Sequence, residues 1–251
     1  MKKILFLIPT ILFCEASAFS DANADFISAN DLYAQQKYED AAEAYEKILE
    51  NEFQSAELYF NLGNAYYQLN DIAPAILNYE RAKFFSPSDR DILYNLRLAN
   101  LRTIDKVEAE PEIFISRWWK NFLYRYNSNE WTWKGIFAFW LAFVTGVVFL
   151  FIRSSLLRRI TFFISAALLL FAVIFFSFGF HLNRVQAQHK FAIIFTPNVY
   201  VKSAPDSSSA DQFILHEGLK VNLQEEQNNW VKVKLEDGKV GWIEKKSLVE
   251  I

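Results

Sequence analysis

Two runs without a charged residue, Gly135–Ile152 and Ile160–Phe180, are the longest features in the hydrophobic pattern of the chain. An α-helix of roughly 20 apolar residues crosses the hydrocarbon core of a bilayer, so each run predicts a transmembrane helix. Only residues 153–159 separate the runs, which predicts a helical hairpin. Three arginines, Arg153, Arg158 and Arg159, lie in that connection and favour a cytoplasmic turn under the positive-inside rule. Both flanking regions are then expected outside the inner membrane of a bacterium.

Residues 22–106 have helical spacing of apolar positions, and within them the stretch from about Ala22 to Asp89 repeats with a shift of 34 residues. A fixed period of this size is typical of a helical array. The corresponding pairs are Ala29 with Gly63, Leu32 with Tyr66, Ala41 with Ala75, Tyr45 with Tyr79, and Ile48 with Ala82. Gly63, Ala75 and Ala82 are small where two antiparallel helices must approach closely, and Pro87 ends the second helix. A third helical stretch, residues 91–102, is predicted to cap the open end of the array.

The segment 113–134 contains four of the seven tryptophans of the chain, Trp118, Trp119, Trp131 and Trp133. Its aromatic residues recur every four positions, while Arg and Lys occupy the other side of the predicted helix. Such a helix is suited to the membrane surface, where tryptophans form interfacial belts. Stacking on nucleobases and packing in a compact core are the alternatives. The cationic residues between the aromatics disfavour the core, so all four tryptophans are predicted at the membrane interface.

The tail, residues 191–251, changes to short stretches in which apolar and polar residues alternate. This pattern predicts β-strands in a small all-β domain of about sixty residues. Asp237-Gly238 favours a two-residue hairpin turn between two of them.

The first 18 residues have the layout of a secretory signal. Lys2 and Lys3 precede an apolar run, and Ala16-Ser17-Ala18 then predicts cleavage after Ala18. Lipidation at Cys14 is the alternative, and it would make Cys14 the mature N-terminus. Phe13 stands where a small residue is expected before such a cysteine, which favours ordinary cleavage. Both alternatives imply export of the residues that follow.

Composition and motifs indicate a protein without catalytic chemistry. A net charge of −3 and a pI near 5.7 argue against nucleic-acid binding, which usually requires a basic domain. The three histidines are far apart in sequence, and no phosphate loop, nucleophile motif or paired-cysteine motif is present. We therefore expect no metal, no cofactor and no enzymatic activity. The apolar runs carry no ionisable residue, which indicates an anchor rather than a transport pathway.

The second copy of the 34-residue period resembles the tetratricopeptide repeat, through Tyr59-x2-Leu62-Gly63-x2-Tyr66, Ala75-x3-Tyr79, Ala82 and Pro87. The resemblance implies peptide binding on a concave face built by the first helix of each repeat. The candidate groove residues are Phe26, Asn30, Tyr33, Phe60, Asn61, Asn64, Tyr67 and Tyr94. Related chaperone-binding repeats combine two asparagines with cationic residues in a carboxylate clamp. Asn30 and Asn61 fit the asparagine places, but Phe26 and Asp91 occupy cationic ones, which disfavours capture of a free C-terminus.

The tail resembles the bacterial SH3-like domain, which implies a small five-stranded barrel. Three stretches carry the resemblance: Val199-Tyr200-Val201-Lys202-Ser203-Ala204-Pro205, the strand that begins at Trp230, and Gly241-Trp242-Ile243. Tyr200 and Trp242 are the candidate groove residues, whereas Trp230 is expected to pack inside the barrel.

The predicted fold class is therefore a multidomain membrane protein. It combines all-α tetratricopeptide repeats, two transmembrane helices and a C-terminal all-β SH3-like barrel. This order of parts resembles the Bat-type aerotolerance protein E family of bacteria. The resemblance implies a non-enzymatic periplasmic scaffold that assembles with von Willebrand A-type Bat proteins and a MoxR-type ATPase in oxidative or envelope stress tolerance. Membrane lipid is a further expected partner. The alternative is a cell-wall sensor that binds peptidoglycan through its SH3-like domain.

Overall fold

The computed structural model describes residues 23–107, 113–188 and 190–251, so the predicted signal segment lies outside the described residues. The chain divides into two compact units. One unit joins the N-terminal helices to the C-terminal sheet, and the other contains the helices within Glu110–Lys190. Segments from both ends of the chain therefore fold together.

Five helices form the N-terminal part of the first unit: α1 (residues 23–34), α2 (Tyr38–Glu50), α3 (Ala56–Gln68), α4 (Ile72–Phe85) and α5 (Arg90–Arg102). The Ser55 side chain accepts a hydrogen bond from the Leu58 amide and so caps α3. The Asp89 side chain caps α5 in the same way. Gln36 and Asn70 have positive φ values of 62° and 69° in the turns after α1 and α3. Because these residues are 34 apart, the repeat includes the turn geometry as well as the helices.

The predicted close approach of two helices occurs at Gly63. A Cβ atom added there would lie 2.8 Å from the Tyr79 ring. This separation is shorter than carbon atoms tolerate, so only glycine allows α3 and α4 their present distance. The helical repeat fold predicted for this part of the chain is confirmed.

Helix α4 is buried along nearly its whole length. Ala75, Tyr79 and Ala82 face the repeat core that the sequence predicted, and Ile76, Leu77 and Glu80 are also buried. A helix that is apolar on two sides needs a partner on each. The second partner of α4 is the C-terminal sheet, because Ile193, Phe195, Val249 and Ile251 pack in one cluster with Ile76 and Leu77.

The C-terminal sheet has seven strands: β1 (Lys190–Ile194), β2 (Asn198–Lys202), β3 (Asp211–His216), β4 (Lys220–Gln227), β5 (Trp230–Lys234), β6 (Val240–Glu244) and β7 (Leu248–Glu250). Their order is β3-β2-β6-β5-β4-β1-β7, so the sheet is open rather than closed. The five strands predicted from alternation correspond to β2–β6. The prediction missed β1 and β7, which pair with each other and supply the residues that contact α4.

The predicted two-residue turn at Asp237-Gly238 is wrong. The Leu235 amide donates to the Lys239 carbonyl at 2.9 Å, so three residues form the loop. Gly238 is its last residue, with φ of 86°. A three-residue hairpin loop requires this left-handed conformation at its last position, which glycine adopts without strain.

The described part of the second unit contains three helices: α6 (Phe114–Leu123), α7 (Ser128–Phe151) and α8 (Ser155–Gln188). Helices α7 and α8 are both long and apolar enough to cross a membrane. Asn127 and Glu130 form a capping box at the start of α7. The break between the two helices covers only residues 152–154, whereas the sequence predicted residues 153–159, so Arg158 and Arg159 lie on the first turns of α8.

Small residues bring α7 and α8 together. Gly135, Ala138 and Ala142 are buried on α7, and Ala172 and Gly179 are buried on α8. The Ser128 hydroxyl donates to the Gly179 carbonyl at 2.9 Å, and the Ser165 hydroxyl donates to the Ala142 carbonyl at 2.9 Å. Small side chains and cross-helix hydrogen bonds of this kind drive helix association in lipid.

Candidate functional site

The asparagines predicted for the concave surface form a hydrogen-bonded ladder across the first helices of the repeats. The Asn30 side-chain oxygen accepts from the Tyr45 hydroxyl at 2.7 Å and from the Asn61 amide at 2.9 Å. One period later, the Asn64 oxygen accepts from the Tyr79 hydroxyl and the Asn95 amide, both at 2.8 Å. Each asparagine–tyrosine–asparagine set joins one repeat to the next.

This ladder gives Asn30 and Asn64 a structural role, and their predicted binding of a peptide stays a prediction. Their side-chain oxygens already accept two hydrogen bonds each, which is the usual capacity of an amide oxygen. These two residues therefore hold α1, α3 and α5 in register. Asn61 is half-buried and bonded directly to Asn30, so the asparagine pair predicted for a clamp is joined within the protein.

Burial keeps the phenol groups of the ladder protonated. It raises the pKa of Tyr45 to about 12, with a smaller contribution from Tyr33. Burial also raises the pKa of Tyr79. Both hydroxyls therefore remain hydrogen-bond donors at physiological pH, and the ladder does not titrate there.

The predicted aromatic residues of the groove differ in exposure. Phe26 and Phe60 are half-buried against Tyr45 and Tyr79, with ring centroids 6.0 Å apart in each pair. Tyr33 contacts Tyr38. The Arg102 guanidinium lies 5.1 Å from the centre of the Tyr67 ring.

Tyr94 is 59% exposed. Two more apolar residues lie on the same face of α5: Leu98, which is half-buried, and Leu101, which is 66% exposed. Burying such aromatic and aliphatic side chains is what commonly stabilises a bound peptide. Helix α5 therefore presents exposed apolar surface, of which the sequence predicted only Tyr94.

A cleft of about 300 Å³ lies on the outer face of the C-terminal sheet. Tyr200 and Trp230 line it together with Lys202, Asp211 and Glu244. Trp230 was expected inside the barrel, but it is only half-buried and lines this cleft. Trp242 lies beside the cleft, between Lys202 and Lys232 in the strand register, and the Lys232 ammonium is 6.0 Å from its ring centre.

The cleft carries charges of both signs. The Lys202 ammonium lies 2.6 Å from an Asp211 carboxylate oxygen. Glu244, which is paired in register with Trp230, adds a second carboxylate on the strand between Tyr200 and Trp230. A ligand for this cleft is therefore expected to combine an apolar surface with polar groups.

An ion-paired contact between the repeats and the sheet was not foreseen in the sequence. The Lys220 ammonium lies 2.7 Å from a carboxylate oxygen of Glu80, and Lys83 is 3.8 Å from the same oxygen. Burial alone raises the pKa of Glu80, but the two lysine charges outweigh it and lower the pKa below its ordinary value. The one sequence signal was an acidic residue in an otherwise apolar stretch of α4.

A second polar contact joins the end of the repeats to β3. Asp105 accepts from the His216 backbone amide at 2.7 Å and lies 2.9 Å from the His216 ring nitrogen Nδ1. Gly218, with φ of 84°, lies against Thr103 and Ile76. A Cβ atom added to Gly218 would lie only 2.8 Å from the Thr103 side chain. Polar pairs therefore flank an apolar contact, and the repeats and sheet fit closely.

The four tryptophans of residues 113–134 do not share one environment. Trp118, Trp119 and Trp133 are exposed by 59%, 45% and 68%, as expected of an interfacial belt. Trp131 is only 2% exposed, and its indole nitrogen donates to the Leu123 carbonyl at 3.0 Å. Phe122, Tyr126, Phe175 and Phe178 surround it. Trp131 therefore belongs to the core that fastens α6 to the hairpin, and its predicted depth at the membrane interface stays a prediction.

Metal chemistry has no support in the described part of the chain, where no group of three or more His, Cys, Asp or Glu side chains could hold a metal ion.

Comparison with known families agrees with both folded parts. Residues 28–111 match the tetratricopeptide repeat family, and residues 197–249 match the bacterial SH3 domain family. No curated protein matches the chain. The chain thus contains a tetratricopeptide repeat region and a bacterial SH3 domain, two modules that typically serve in interaction rather than catalysis.

Proposed function

We propose that this protein is a non-enzymatic, membrane-anchored adaptor that presents its repeats and SH3 domain as one body on the outer side of the bacterial inner membrane. The observation that carries the proposal is the packing of the C-terminal sheet on helix α4. Residues before and after the hairpin belong to one compact unit. Two regions that fold together must occupy the same compartment, so the chain between them crosses the membrane an even number of times.

The dimensions of the second unit support membrane insertion. Helix α7 has 24 residues and α8 has 34, which correspond to about 36 Å and 51 Å at 1.5 Å per residue. Both exceed the roughly 30 Å hydrocarbon core. Most of their large apolar side chains are exposed, including Phe137, Phe143 and Phe163 at 55–71%. Water disfavours such a surface, whereas lipid accommodates it.

The contacts of helix α6 support its proposed place at the membrane interface. Its residue Trp119 contacts Phe178, with ring centroids 5.8 Å apart. Phe178 lies 23 residues after the start of α8, about 35 Å along the helix from the turn. Helix α6 therefore lies at the end of the hairpin opposite Arg153 and Arg158, near the second membrane surface.

The concave face of the repeats is the proposed site for a partner protein. Tyr94 and Leu101 provide exposed apolar surface there, and the asparagine ladder fixes the helices that carry them. By resemblance to Bat-type aerotolerance protein E, we propose von Willebrand A-type Bat proteins and a MoxR-type ATPase as partners in stress tolerance. Because the SH3 domain covers α4, both modules act on a shared partner from a fixed relative position rather than as independently tethered domains.

Pull-down from detergent extracts tests the groove. Tyr94→Glu places a charge on the concave face, and we expect it to lower recovery of Bat-type partners at least tenfold. Phe84→Glu is the matched control, because Phe84 is 51% exposed on α4 and lies outside the groove. Equal recovery with both variants contradicts peptide binding in the groove.

Topology has a separate test. Reporter fusions after Lys106, within residues 153–159 and after Ile251 are expected to report outside, inside and outside. A cytoplasmic signal after Ile251 contradicts the two-span arrangement.

Peptidoglycan binding through the SH3 domain is the second candidate function. The Tyr200–Trp230 cleft favours it, since an aromatic cleft with charges of both signs suits a peptide that carries polar groups. The solubilised full chain is expected to sediment with purified cell wall, and Trp230→Ala is expected to remain in solution. If neither the wild-type chain nor the Trp230→Ala variant sediments with the cell wall, peptidoglycan binding is contradicted.

A further inference from the structure

A groove of about 650 Å³ runs between α7 and α8 on the surface that faces lipid in the proposed arrangement. Its floor and walls are apolar, and Phe137, Ala138 and Leu141 on α7 face Leu168, Phe171 and Phe175 on α8. Glu130, Trp133 and Lys134 lie at one end. Lys134 is the last charged residue before the apolar run that begins at Gly135, so this end lies at the level of the lipid headgroups.

The length of the groove fits one leaflet. From Glu130 to Leu141 are 11 residues along α7, which is about 16 Å. Half of a hydrocarbon core of roughly 30 Å is about 15 Å. A single acyl chain of a lipid in the outer leaflet therefore fits along the whole groove with its headgroup at Lys134.

The mouth of the groove holds a fixed cation. The Lys134 ammonium lies 3.4 Å from the centre of the Tyr126 ring and 5.7 Å from that of Trp131. These aromatic faces orient the ammonium and keep its positive charge. Trp131 is itself buried and fixed by its bond to Leu123, so the support under Lys134 is rigid. A phosphate group is the headgroup component that such a cation attracts.

A carboxylate accompanies the cation one helical turn away. Glu130 precedes Lys134 by four residues, which places both side chains on one face of α7. One oxygen of Glu130 accepts from the Asn127 amide at 2.9 Å, which orients the carboxylate at the mouth. A headgroup with both a phosphate and a primary ammonium complements this pair of charges, whereas a purely anionic headgroup does not.

We propose that the groove between α7 and α8 binds one phospholipid with a primary-amine headgroup, such as phosphatidylethanolamine. The acyl chain lies along Ala138 and Leu141, the phosphate contacts Lys134, and the ammonium contacts Glu130. This inference rests on the membrane insertion proposed above. The lipid completes the surface of the hairpin at the level where α6 joins it.

Native mass spectrometry of the full chain tests the site. The protein is mixed in detergent with equal amounts of phosphatidylethanolamine and phosphatidylglycerol and is then released from the detergent. We expect it to retain one lipid, with at least a fivefold preference for phosphatidylethanolamine. Lys134→Gln is expected to reduce retention of both lipids about tenfold. Glu130→Gln keeps the side-chain shape and the helix cap, and it is expected to abolish the preference.

The control pair distinguishes a site from general lipid adhesion. Leu141→Trp fills the groove and is expected to remove the retained lipid. Val144→Trp places the same side chain on α7 at a residue that is 53% exposed and does not line the groove, and it is expected to retain the lipid. The proposal is overturned if Leu141→Trp and Val144→Trp retain the same amount of lipid. It is also overturned if Glu130→Gln retains as much lipid as the wild type with the same preference for the amine headgroup. Carbonate extraction of the same variants reports insertion separately, since failure to insert contradicts the adaptor proposal instead.

Discussion

The contact between Glu80 and Lys220 predicts a large loss of stability when its cation is removed. Lys220→Met keeps the length and most of the volume of the side chain, but it leaves the Glu80 carboxylate buried at 9% exposure. Removing one partner of a buried ion pair costs about 3–5 kcal/mol, because the remaining charge loses its compensation. Lys83 remains 3.8 Å from the same carboxylate oxygen, so we expect the lower limit, about 3 kcal/mol.

The expected loss can be measured by heating. The unit that contains the pair has about 150 described residues, and for this size 1 kcal/mol shifts the melting temperature by about 2–4 °C. Lys220→Met should therefore lower the transition of the solubilised full chain by about 6–12 °C. Scanning calorimetry in detergent measures it, and the transition of the repeats should move together with that of the sheet.

A double-mutant cycle isolates the pair. Glu80→Gln combined with Lys220→Met leaves no buried charge, so the double variant should be more stable than Lys220→Met alone. Lys232→Met is the matched control, because Lys232 pairs with Glu225 at an exposed position of the same sheet, where ion pairs contribute little. A shift below 2 °C for Lys220→Met, or additive effects in the cycle, would refute the inference that this pair holds the two modules together.

The pKa of Glu80 is lowered in the folded protein, so its ionised carboxylate stabilises the fold. This stabilisation is complete above the unfolded-state pKa of about 4.3 and is lost as the pH falls through the folded-state pKa. Melting curves from pH 7 to 3 should show the loss, and Glu80→Gln should reduce it. Gly63→Ala should destabilise the repeats by about 1–3 kcal/mol, since its Cβ overlaps the Tyr79 ring, and far-ultraviolet circular dichroism should show earlier melting. Trp131→Ala should cost about 3 kcal/mol in the hairpin unit, whereas Trp133→Ala, at 68% exposure, should leave its melting temperature in detergent unchanged.

Local patterns in the sequence predicted most of the elements. The 34-residue period is a property of side-chain size at fixed spacing, and the close approach at Gly63 follows from it directly. The alternating strands β2–β6 and the apolar helices α7 and α8 were visible for the same reason, because burial on one or all sides leaves a periodic or continuous apolar pattern. The strands β1 and β7 were missed because β1 buries three consecutive residues and so does not alternate, and because β7 has only three residues.

The candidate site was less predictable. The sequence placed asparagines and aromatics on the first helices of the repeats, but it did not reveal that Asn30 and Asn64 bond within the protein. A side chain that can bind a peptide can also bind a neighbouring helix, and only the distance between helices distinguishes the two. Trp230 and Trp131 show the same limitation, because an aromatic residue suits a core, a cleft or an interface equally well by composition.

By itself, the sequence determined the kinds of parts and their order: the helical repeats, the two apolar helices and the strands of the C-terminal sheet. Each is encoded by neighbours within a few residues or by one repeat period. The tertiary structure alone decided that the sheet packs on α4, that Glu80 meets Lys220 across 140 positions of sequence, and that Lys134 stands over Tyr126 at the mouth of a groove. These contacts depend on the relative placement of whole elements, which no local pattern of hydrophobic and polar residues specifies.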